Sequence, residues 1–447
     1  MAGSIESHIA EWRTYVRQGR AVEGPDVDEL EAHLRDQMAD LGAAGLTDDE
    51  AFLVAVKRMG HVDALSREFA LEHSDRLWKQ LVLGSSAETE RPATHLVEAL
   101  VFATAAAILI QLARLSSGWP DKESSFFLRN VSLFVLPFLA GYFARGRRLS
   151  RRQGLLMIAP FVVAALVVNL YPFGPGSSTE LLVALHLPIA MWFAVAFPYM
   201  GGAWRSHERR MDYVRFTGEW FIYFVLIALG GGVLIGLTSM LLQPLGQHVV
   251  EQVLTWVIPS GAAGAVIVAA WLVEAKQSVV ENMAPVLTMV FTPLFAAVLA
   301  ASVVIYAVSG VGEFDRDRLG MFDALLIVVL ALLLYGLSAR QGTQRAGLMD
   351  TMQLVAVAGA LILDLMVLGS MLGRIGDLGF TPNRVAALGL NLVLLANLVW
   401  AAWLSIRLVA GRVTVHRLQR WQTMYLPVFA IWAAAVVVVL PPLFSFA

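Results

Sequence analysis

Two apolar runs near the end of the chain decide how it folds: TMQLVAVAGALILDLMVLGSML at residues 351–372 and VAALGLNLVLLANLVWAAWLSI at residues 385–406. Each run supplies the roughly 20 apolar residues that a helix needs to cross the hydrocarbon core of a bilayer. The connection between them, GRIGDLGFTPNR, is short. The sequence therefore predicts an antiparallel pair of membrane helices over residues 350–407, which we call the hairpin.

The hairpin carries polar residues inside its apolar runs. Asp364 lies near the middle of the first run, and Asn391 and Asn397 lie in the second. An ionisable residue within a membrane helix is rare and is by default a hypothesis for a functional site. Counted from the loop, the acid lies between the two amides in depth, so both are expected to hydrogen-bond it. Two interpretations remain: a protonated Asp that holds two helices together, or an Asp that relays protons or coordinates a ligand.

The rest of the chain repeats the apolar pattern. Of 447 residues, 57% are hydrophobic and only 15% are charged, whereas about a quarter of the residues in a soluble domain are charged. With a mean hydropathy of +0.66, this is typical of a polytopic membrane protein. We predict eleven spans, with ten or twelve as alternatives, at about residues 95–114, 130–144, 154–172, 181–199, 217–243, 252–273, 284–309, 321–338, 350–372, 385–406 and 424–443.

Charge divides the chain near residue 94. Residues 1–94 hold 18 acidic and 10 basic residues, a net charge of −8, and the remainder holds 17 and 23, a net charge of +6. We interpret residues 1–80 as a soluble head, residues 81–94 as a polar linker and residues 95–447 as a transmembrane domain. Because the first residues lack the basic and apolar regions of a cleaved signal peptide, the head is expected to stay in the cytoplasm.

Four amphipathic helices are predicted in the head. Apolar residues recur at helical spacing, and Thr47 with Glu50 forms a capping box at the start of the third helix. Asp63 is expected to cap the fourth. The predicted inward residues include Ile5, Ile9, Trp12 and Val16 in the first helix, Leu34, Met38 and Leu41 in the second, Phe52, Ala55 and Val56 in the third, and Leu65, Phe69 and Leu77 in the fourth.

The order of these head segments resembles a known module. DVDELEAHLRD at 26–36, GLTDDEA at 45–51 and GHVDALSREF at 60–69 are similar to the permease prefix domain, a helical module of the HAAS type. The resemblance covers about residues 5–75 and implies a bacterial cytoplasmic-membrane protein, often linked to transcriptional regulators of the PadR type. A partner surface is then expected at Glu31, Arg35 and Arg67. The alternative is a head that only docks on its own membrane domain.

The loops predict the orientation in the membrane. With the head inside, the five inner loops hold 16 Lys and Arg residues and the five outer loops hold 6. Cytoplasmic loops carry an excess of positive charge, so the N-terminus is predicted inside and the C-terminus outside. A basic loop such as residues 145–152 sets topology, with binding of anionic lipid headgroups as the alternative.

The loop of the hairpin has a local explanation and a second resemblance. Thr381 is expected to cap the following helix, and Pro382 fits its first position. LGFTPNR at 378–384 resembles the Y-G-L/F-T-x-x-R loop of a multi-helix bacterial membrane family of unknown function, with Leu378 in place of the Tyr. That family implies no activity. Arg374 and Arg384 are candidates for binding at the outer mouth.

Several classes of chemistry find no support. The chain has no cysteine, which excludes disulfides and thiol chemistry. It contains no P-loop, HExxH or GxSxG motif, so no enzyme activity, metal site or cofactor is predicted, and no direct binding of nucleic acid is expected. His186 stands beside Pro188 in the fourth span. It is either a packing residue satisfied within its helix or a ligand.

Two hypotheses for function follow. The first is a bacterial inner-membrane regulatory or stress-response protein whose head contacts a cytoplasmic partner. The second is a permease for a small solute or ion that uses Asp364, in which case polar access to this acid is expected. A second membrane subunit and a homo-oligomer are both compatible with these hypotheses. The pattern Gly232-x-x-x-Gly236 in the fifth span predicts close helix packing, as do Gly261 and Gly264 in the sixth. The alternative is that these glycines are hinges of a moving carrier.

Overall fold

The computed structural model describes residues 5–10, 12–13, 24–43, 45–59, 92–118, 125–174, 176–243, 246–275, 283–309, 316–340 and 346–447. Within these ranges the chain forms helices and connecting turns and no strand, which confirms the prediction of an all-α fold. The chain divides into two compact units, Met1–Arg91 and Pro92–Ala447. We call the first unit the head and the second the membrane block.

The described part of the head is a small helical bundle. Residues 5–10 are helical, followed by α1 (Gly24–Ala43) and α2 (Asp48–Met59). Trp12, Leu34 and Phe52 are fully buried in one core, so the inward faces of these helices are as predicted. The predicted fourth helix and Arg67 lie outside the described residues.

One of the two bonds of the predicted capping box of α2 is present, from the Thr47 backbone to the Glu50 side chain. The backbone N–H of Thr47 donates to a carboxylate oxygen of Glu50 at 2.9 Å, and the Thr47 hydroxyl donates to the same oxygen at 2.7 Å. These bonds stabilise the ionised carboxyl and lower the pKa of Glu50. Polar groups at the start of α2 are thereby satisfied within three residues of sequence.

Glu31 and Arg35 are used inside the head. Arg35 donates to both carboxylate oxygens of Glu6 at 2.8 Å and to Glu31 at 3.0 Å, and Arg13 donates to Glu31 at 2.8 Å. Hydrogen bonding to Arg35 lowers the pKa of Glu6. These ion pairs join the N-terminal segment to α1, so two residues of the predicted partner surface have partners within the head.

Twelve helices make up the described membrane block: α3 (Pro92–Ser117), α4 (Ser125–Gly146), α5 (Arg151–Leu170), α6 (Ser178–Tyr199), α7 (His207–Leu242), α8 (Gln247–Ala275), α9 (Met283–Ser309), α10 (Arg316–Ser338), α11 (Leu348–Leu378), α12 (Pro382–Val409), α13 (Val415–Val438) and the short α14 (Leu440–Leu443). Each of the eleven predicted spans falls on one of the helices α3 to α13. Most of these helices extend beyond the predicted limits.

The membrane block is built to cross a bilayer. Among the described residues, ten helices are long and apolar enough to span it, and the apolar section of α10, Asp323–Ser338, is shorter. Large apolar side chains such as Leu155, Leu241 and Val308 are 71%, 78% and 83% exposed on its outside. Water would disfavour such a surface, whereas lipid tails match it. The chain is therefore a multi-pass membrane protein.

Two hydrophobic cores organise the membrane block. The first is formed mainly by α3 to α8 and the second by α9 to α13. Small residues permit close approaches in the second core. Gly359 of α11 packs against Leu299 of α9, where an added Cβ would lie 3.0 Å from the Leu299 Cβ, and Gly389 of α12 faces the indole ring of Trp432 in α13.

The predicted close packing at the glycines of α7 is wrong for the described chain. A Cβ built on Gly232 or Gly236 meets no atom within 4 Å. Neighbouring side chains on this half of α7, such as Leu229, Val233 and Leu237, are more than half exposed. These glycines are exposed and face outward from the bundle.

Ion pairs join neighbouring helices at both ends of the membrane block. Arg147 in the turn after α4 lies 2.9 Å from Glu274 of α8, at the end that also holds the turns 147–150, 200–206 and 410–414. We call this the basic end. At the opposite end, Arg129 of α4 lies 2.6 Å from Glu180 of α6. Ion pairs at or next to both ends of α4 therefore join this helix to its neighbours α6 and α8.

We expect Gly389→Ala to destabilise the membrane block by about 1–3 kcal/mol, because the new methyl group would overlap with the indole of Trp432 and overpacking of a core costs this much. Thermal unfolding of the full-length protein in detergent measures the effect. Gly369→Ala is the matched control, since nothing lies within 4 Å of its Cβ. Equal melting temperatures for the two variants would contradict the packing described.

We expect Arg35→Met to loosen the N-terminal segment of the head by removing four hydrogen bonds, two to Glu6 and two to Glu31. Amide hydrogen exchange in residues 5–10 of the full-length protein should become roughly two- to fivefold faster, as for the loss of an exposed ion-pair network. Lowering the pH should act in the same direction. A carboxyl whose pKa is lowered by folding stabilises the fold above its unfolded-state pKa, and this contribution is lost as the pH falls through the folded-state value. Asp36→Asn on the same helix should leave the exchange unchanged.

Candidate functional site

Three polar side chains from three helices meet inside the membrane block. The Nδ2 of Asn391 in α12 donates to Oδ1 of Asp364 in α11 at 2.5 Å and to Oδ1 of Asp323 in α10 at 3.3 Å. Asn391 is fully buried, Asp364 is 1% exposed and Asp323 is 7% exposed. We call this group the acid–amide cluster. A single amide thus joins two carboxyl groups.

The local sequence sets the depth of each member. Asn391 is nine residues from the start of α12, where Thr381 caps the helix and accepts from the N–H of Arg384 at 3.4 Å, with Pro382 in the first turn. At 1.5 Å per residue this is about 13 Å from the helix end. Asp323 lies about 10 Å from the start of α10, and Asp364 about 21 Å from the end of α11. The cluster therefore extends inward from the end opposite the basic end.

Two oxygen atoms of the cluster have no hydrogen-bond partner in the described part of the chain. Oδ2 of Asp364 and Oδ1 of Asn391 are buried and have no hydrogen-bond partner among the described residues. No arginine or lysine in that set pairs with either acid. Two negative charges in a dry, apolar surrounding are strongly unfavourable. The charge has to be reduced by protons or by a bound cation, and oxygen atoms are the ligands that hard cations prefer.

The structure separates Asn397 from the acid. Asn397 is fully buried, and its Nδ2 donates to Oε1 of Gln422 in α13 at 3.0 Å. The expectation that both amides bond Asp364 is therefore right for Asn391 and wrong for Asn397. The pair of Asn397 and Gln422 instead joins α12 to α13, about one and a half turns further along α12 than Asn391.

The arginines of the hairpin loop do not enter the cluster. Arg384 donates to the backbone carbonyls of Leu378 and Gly379 at 2.9 and 2.8 Å, and Gly379 has φ of +72° at the end of α11. Arg384 thereby closes the loop on itself. Arg374 lies half-buried in the last turns of α11. Arg384 and Arg374 therefore both lie at or next to the loop of the hairpin, and their predicted binding role at the outer mouth stays a prediction.

His186 has a partner within its own helix. Its Nδ1 lies 2.9 Å from the carbonyl oxygen of Leu182, four residues earlier in α6. The residue is half-buried. This contact agrees with the interpretation of a packing residue satisfied inside its helix. Among the described residues, no group of three or more histidine and carboxylate side chains is arranged to hold a metal ion.

Asp323 is the member of the cluster that sequence analysis did not single out. It is the third residue of the predicted eighth span, 321–338. The rule that identified Asp364, an acid within an apolar run, applies to Asp323 as well. A position so near the limit of a span is usually assigned to the lipid headgroup region, where a carboxylate is at little disadvantage. The signal was therefore present but weak. Glu219 in α7, 6% exposed, is a second buried acid of this kind.

The fold and the cluster together define a class: a multi-pass, all-α membrane protein with a buried pair of carboxyl groups. Comparison of the chain with protein-family models, with curated proteins and with solved structures finds no match. The chemistry of the cluster must therefore be argued from its own geometry.

We expect Asn391→Leu to destabilise the membrane block, because it leaves two buried carboxyl groups without their shared donor. A double-mutant cycle measures how much of this destabilisation comes from the interaction between Asn391 and Asp364. Asn391→Leu with Asp364→Leu should show a coupling free energy of about 0.5–2 kcal/mol, the range for hydrogen bonds within membrane proteins. Asn391→Leu with Gln422→Leu should be additive, since Gln422 bonds Asn397. Unfolding of the purified protein in detergent provides the free energies, and additivity in the first cycle would contradict the described bond.

Proposed function

We propose that the protein is a permease that moves a small solute or ion and that protons or a small cation bind at the acid–amide cluster during its cycle. The observation that carries this proposal is the sharing of one amide by two buried carboxyl groups, Asp323 and Asp364. A structural role alone needs only one acid and one amide. Burying a second acid costs additional desolvation free energy. A site that binds positive charge would explain why the second acid is present.

The geometry suits reversible binding of a positive charge. The three side chains belong to α10, α11 and α12, so movement of any one helix changes the number of oxygen atoms at the site. Rotation of the Asn391 amide about its last torsion would turn its free Oδ1 toward the acids. Such a site can hold a proton as a carboxylic acid, or a small hard cation between oxygen atoms.

The proposal requires a second conformation. Asp364 is 1% exposed and Asp323 is 7% exposed. The expected polar access to Asp364 is therefore absent among the described residues, and the cluster is closed to water in this conformation. Asp323 is the member nearest to a helix end. A cycle in which α10 moves away from α11 and α12 would open the cluster toward that end first. Alternating access of this kind is how carriers expose a fixed site to the two sides.

A regulatory role of the head is the second candidate. It is supported by the division of the chain into a separate head with its own core and by the resemblance to the permease prefix domain. In this proposal the protein lies in a bacterial inner membrane with a cytoplasmic N-terminus, and the head contacts a regulator of the PadR type or another membrane subunit. The excess of arginine at the basic end supports this orientation. Glu31 and Arg35 would act by holding the head together.

A flux measurement tests the permease proposal. Full-length protein is reconstituted in liposomes that contain a pH-sensitive dye, and an inward proton gradient is imposed in the presence or absence of Na⁺. We expect proton entry above that of empty liposomes. Asp364→Asn and Asp323→Asn should each reduce it at least tenfold, because an amide cannot take up a proton or neutralise a cation as a carboxylate does.

The control is Asp377→Asn, which removes an exposed acid near the end of α11 and should leave the flux unchanged. Infrared difference spectra should also lose the signal of a protonated carboxylic acid in Asp364→Asn. Flux equal to that of empty liposomes, with and without Na⁺, would overturn the permease proposal. It would then favour the regulatory role, with Asp364 as a structural residue.

A further inference from the structure

An open groove runs along the outside of the membrane block between α3, α7 and α8. Its volume is about 380 Å³, and its walls are largely apolar, with Leu100, Ala103 and Ala107 of α3 on one side and Gly261 and Gly264 of α8 on the other. The glycines provide the space, because a Cβ built on Gly261 meets no atom within 4 Å. The largely apolar lining suits a hydrocarbon chain.

A polar group closes one end of this groove. Gln111 follows Ala107 by one turn on the same face of α3, and its Nε2 donates to the hydroxyl of Ser260 and to the carbonyl of Trp256, both at 2.7 Å. Ser260 itself lines the groove. The Oε1 of Gln111 accepts from Nε of Arg114 at 2.7 Å. The apolar walls thus lead directly to a guanidinium group.

Arg114 is a buried cation with neutral partners. It is 8% exposed, its Nε bonds Gln111, and its guanidinium carbon lies 4.9 Å from the ring centre of Trp256. No carboxylate of the described residues pairs with it. Its two terminal amino groups have no described partner. A guanidinium in a largely buried position is strongly stabilised by an anion, and its planar fork matches the two oxygen atoms of a phosphate.

The depth of this group corresponds to the headgroup region of a bilayer. Arg114 lies in the last turn of α3, at the end opposite the basic end. Trp256, which stacks on it, is 46% exposed, and tryptophan is enriched at the membrane–water interface. An anion held by Arg114 would therefore lie at the level of lipid phosphates, with the groove extending from it toward the middle of the membrane.

We infer that this groove is a binding site for a membrane phospholipid, whose phosphate pairs with Arg114 and one of whose acyl chains lies along α3 and α8. Charge complementarity selects the phosphate, and the apolar walls select the chain. A free phosphate ion would satisfy Arg114 alone and leave the groove exposed. A second copy of the chain would cover the groove, but no carboxylate among the described residues is identified that would pair with Arg114.

Binding of defined lipids to the delipidated full-length protein in detergent tests this inference. Three probes separate the contributions: dioleoyl phosphatidylglycerol, a diacylglycerol with the same chains and no phosphate, and glycerol phosphate without chains. We expect the phospholipid to bind at least tenfold more tightly than either of the others. Arg114→Gln should weaken phospholipid binding about tenfold or more, which corresponds to the loss of one or two charge-assisted hydrogen bonds.

Arg407→Gln is the matched control. Arg407 also stacks on a tryptophan, Trp403, at 4.8 Å, but this pair does not line the groove. Replacing Arg407 should leave the affinity of the groove for the phospholipid unchanged. Gly261→Leu fills the groove without removing the guanidinium and should weaken phospholipid binding while glycerol phosphate binds as before. This variant decides the question if Arg114→Gln does not fold. Equal phospholipid affinity in the wild-type and Gly261→Leu proteins, or tightest binding of glycerol phosphate, would overturn the inference.

Discussion

Burying two carboxyl groups inside a membrane domain is the constraint on which the second half of the structure depends. The amide of Asn391 reaches both Asp323 and Asp364, and this requires three helices to keep one register. A shift of one residue along α12 would rotate the amide by about 100° away from both acids. The short loop of the hairpin supports this register, because the cap at Thr381 fixes where α12 begins. The apolar core of α9 to α13 then excludes water from the cluster.

Polar contacts in the two halves of the membrane block have different roles. In the first half, the main charged contacts lie near the helix ends, where Arg147 pairs with Glu274 and Arg129 with Glu180. Such pairs set which helices are neighbours, and water or headgroups can replace them. In the second half, the acid–amide cluster and the pair of Asn397 and Gln422 lie at depth. No solvent can replace a lost partner there, so these contacts restrict both the packing and the protonation state.

Much of the fold could be predicted from the sequence, since spans are long and apolar and each predicted one falls on a helix. The limits of the spans could not, because hydropathy omits the polar ends of helices. Gln422 illustrates the consequence. It falls in the predicted inner loop 407–423, yet α13 begins at Val415, so this residue is buried and bonds Asn397. Asp323 was overlooked for a related reason. The bond between Asp364 and Asn391 could be predicted only in part. Counting residues in an antiparallel hairpin gives the depth of each amide but not the face of α12 on which it lies, and the same count wrongly included Asn397.

The length of α7 has a consequence for the surrounding bilayer. The helix has 36 residues, which at 1.5 Å per residue is about 54 Å. Residues 217–242 contain only one charged residue, Glu219, and this section alone is about 39 Å long. The hydrocarbon core of a typical bilayer is only about 30 Å thick. The apolar length of α7 therefore exceeds the thickness of the hydrocarbon core, and either a tilt of the helix or a locally thicker membrane must make up the difference. We expect the protein to favour lipids with longer chains around this one helix.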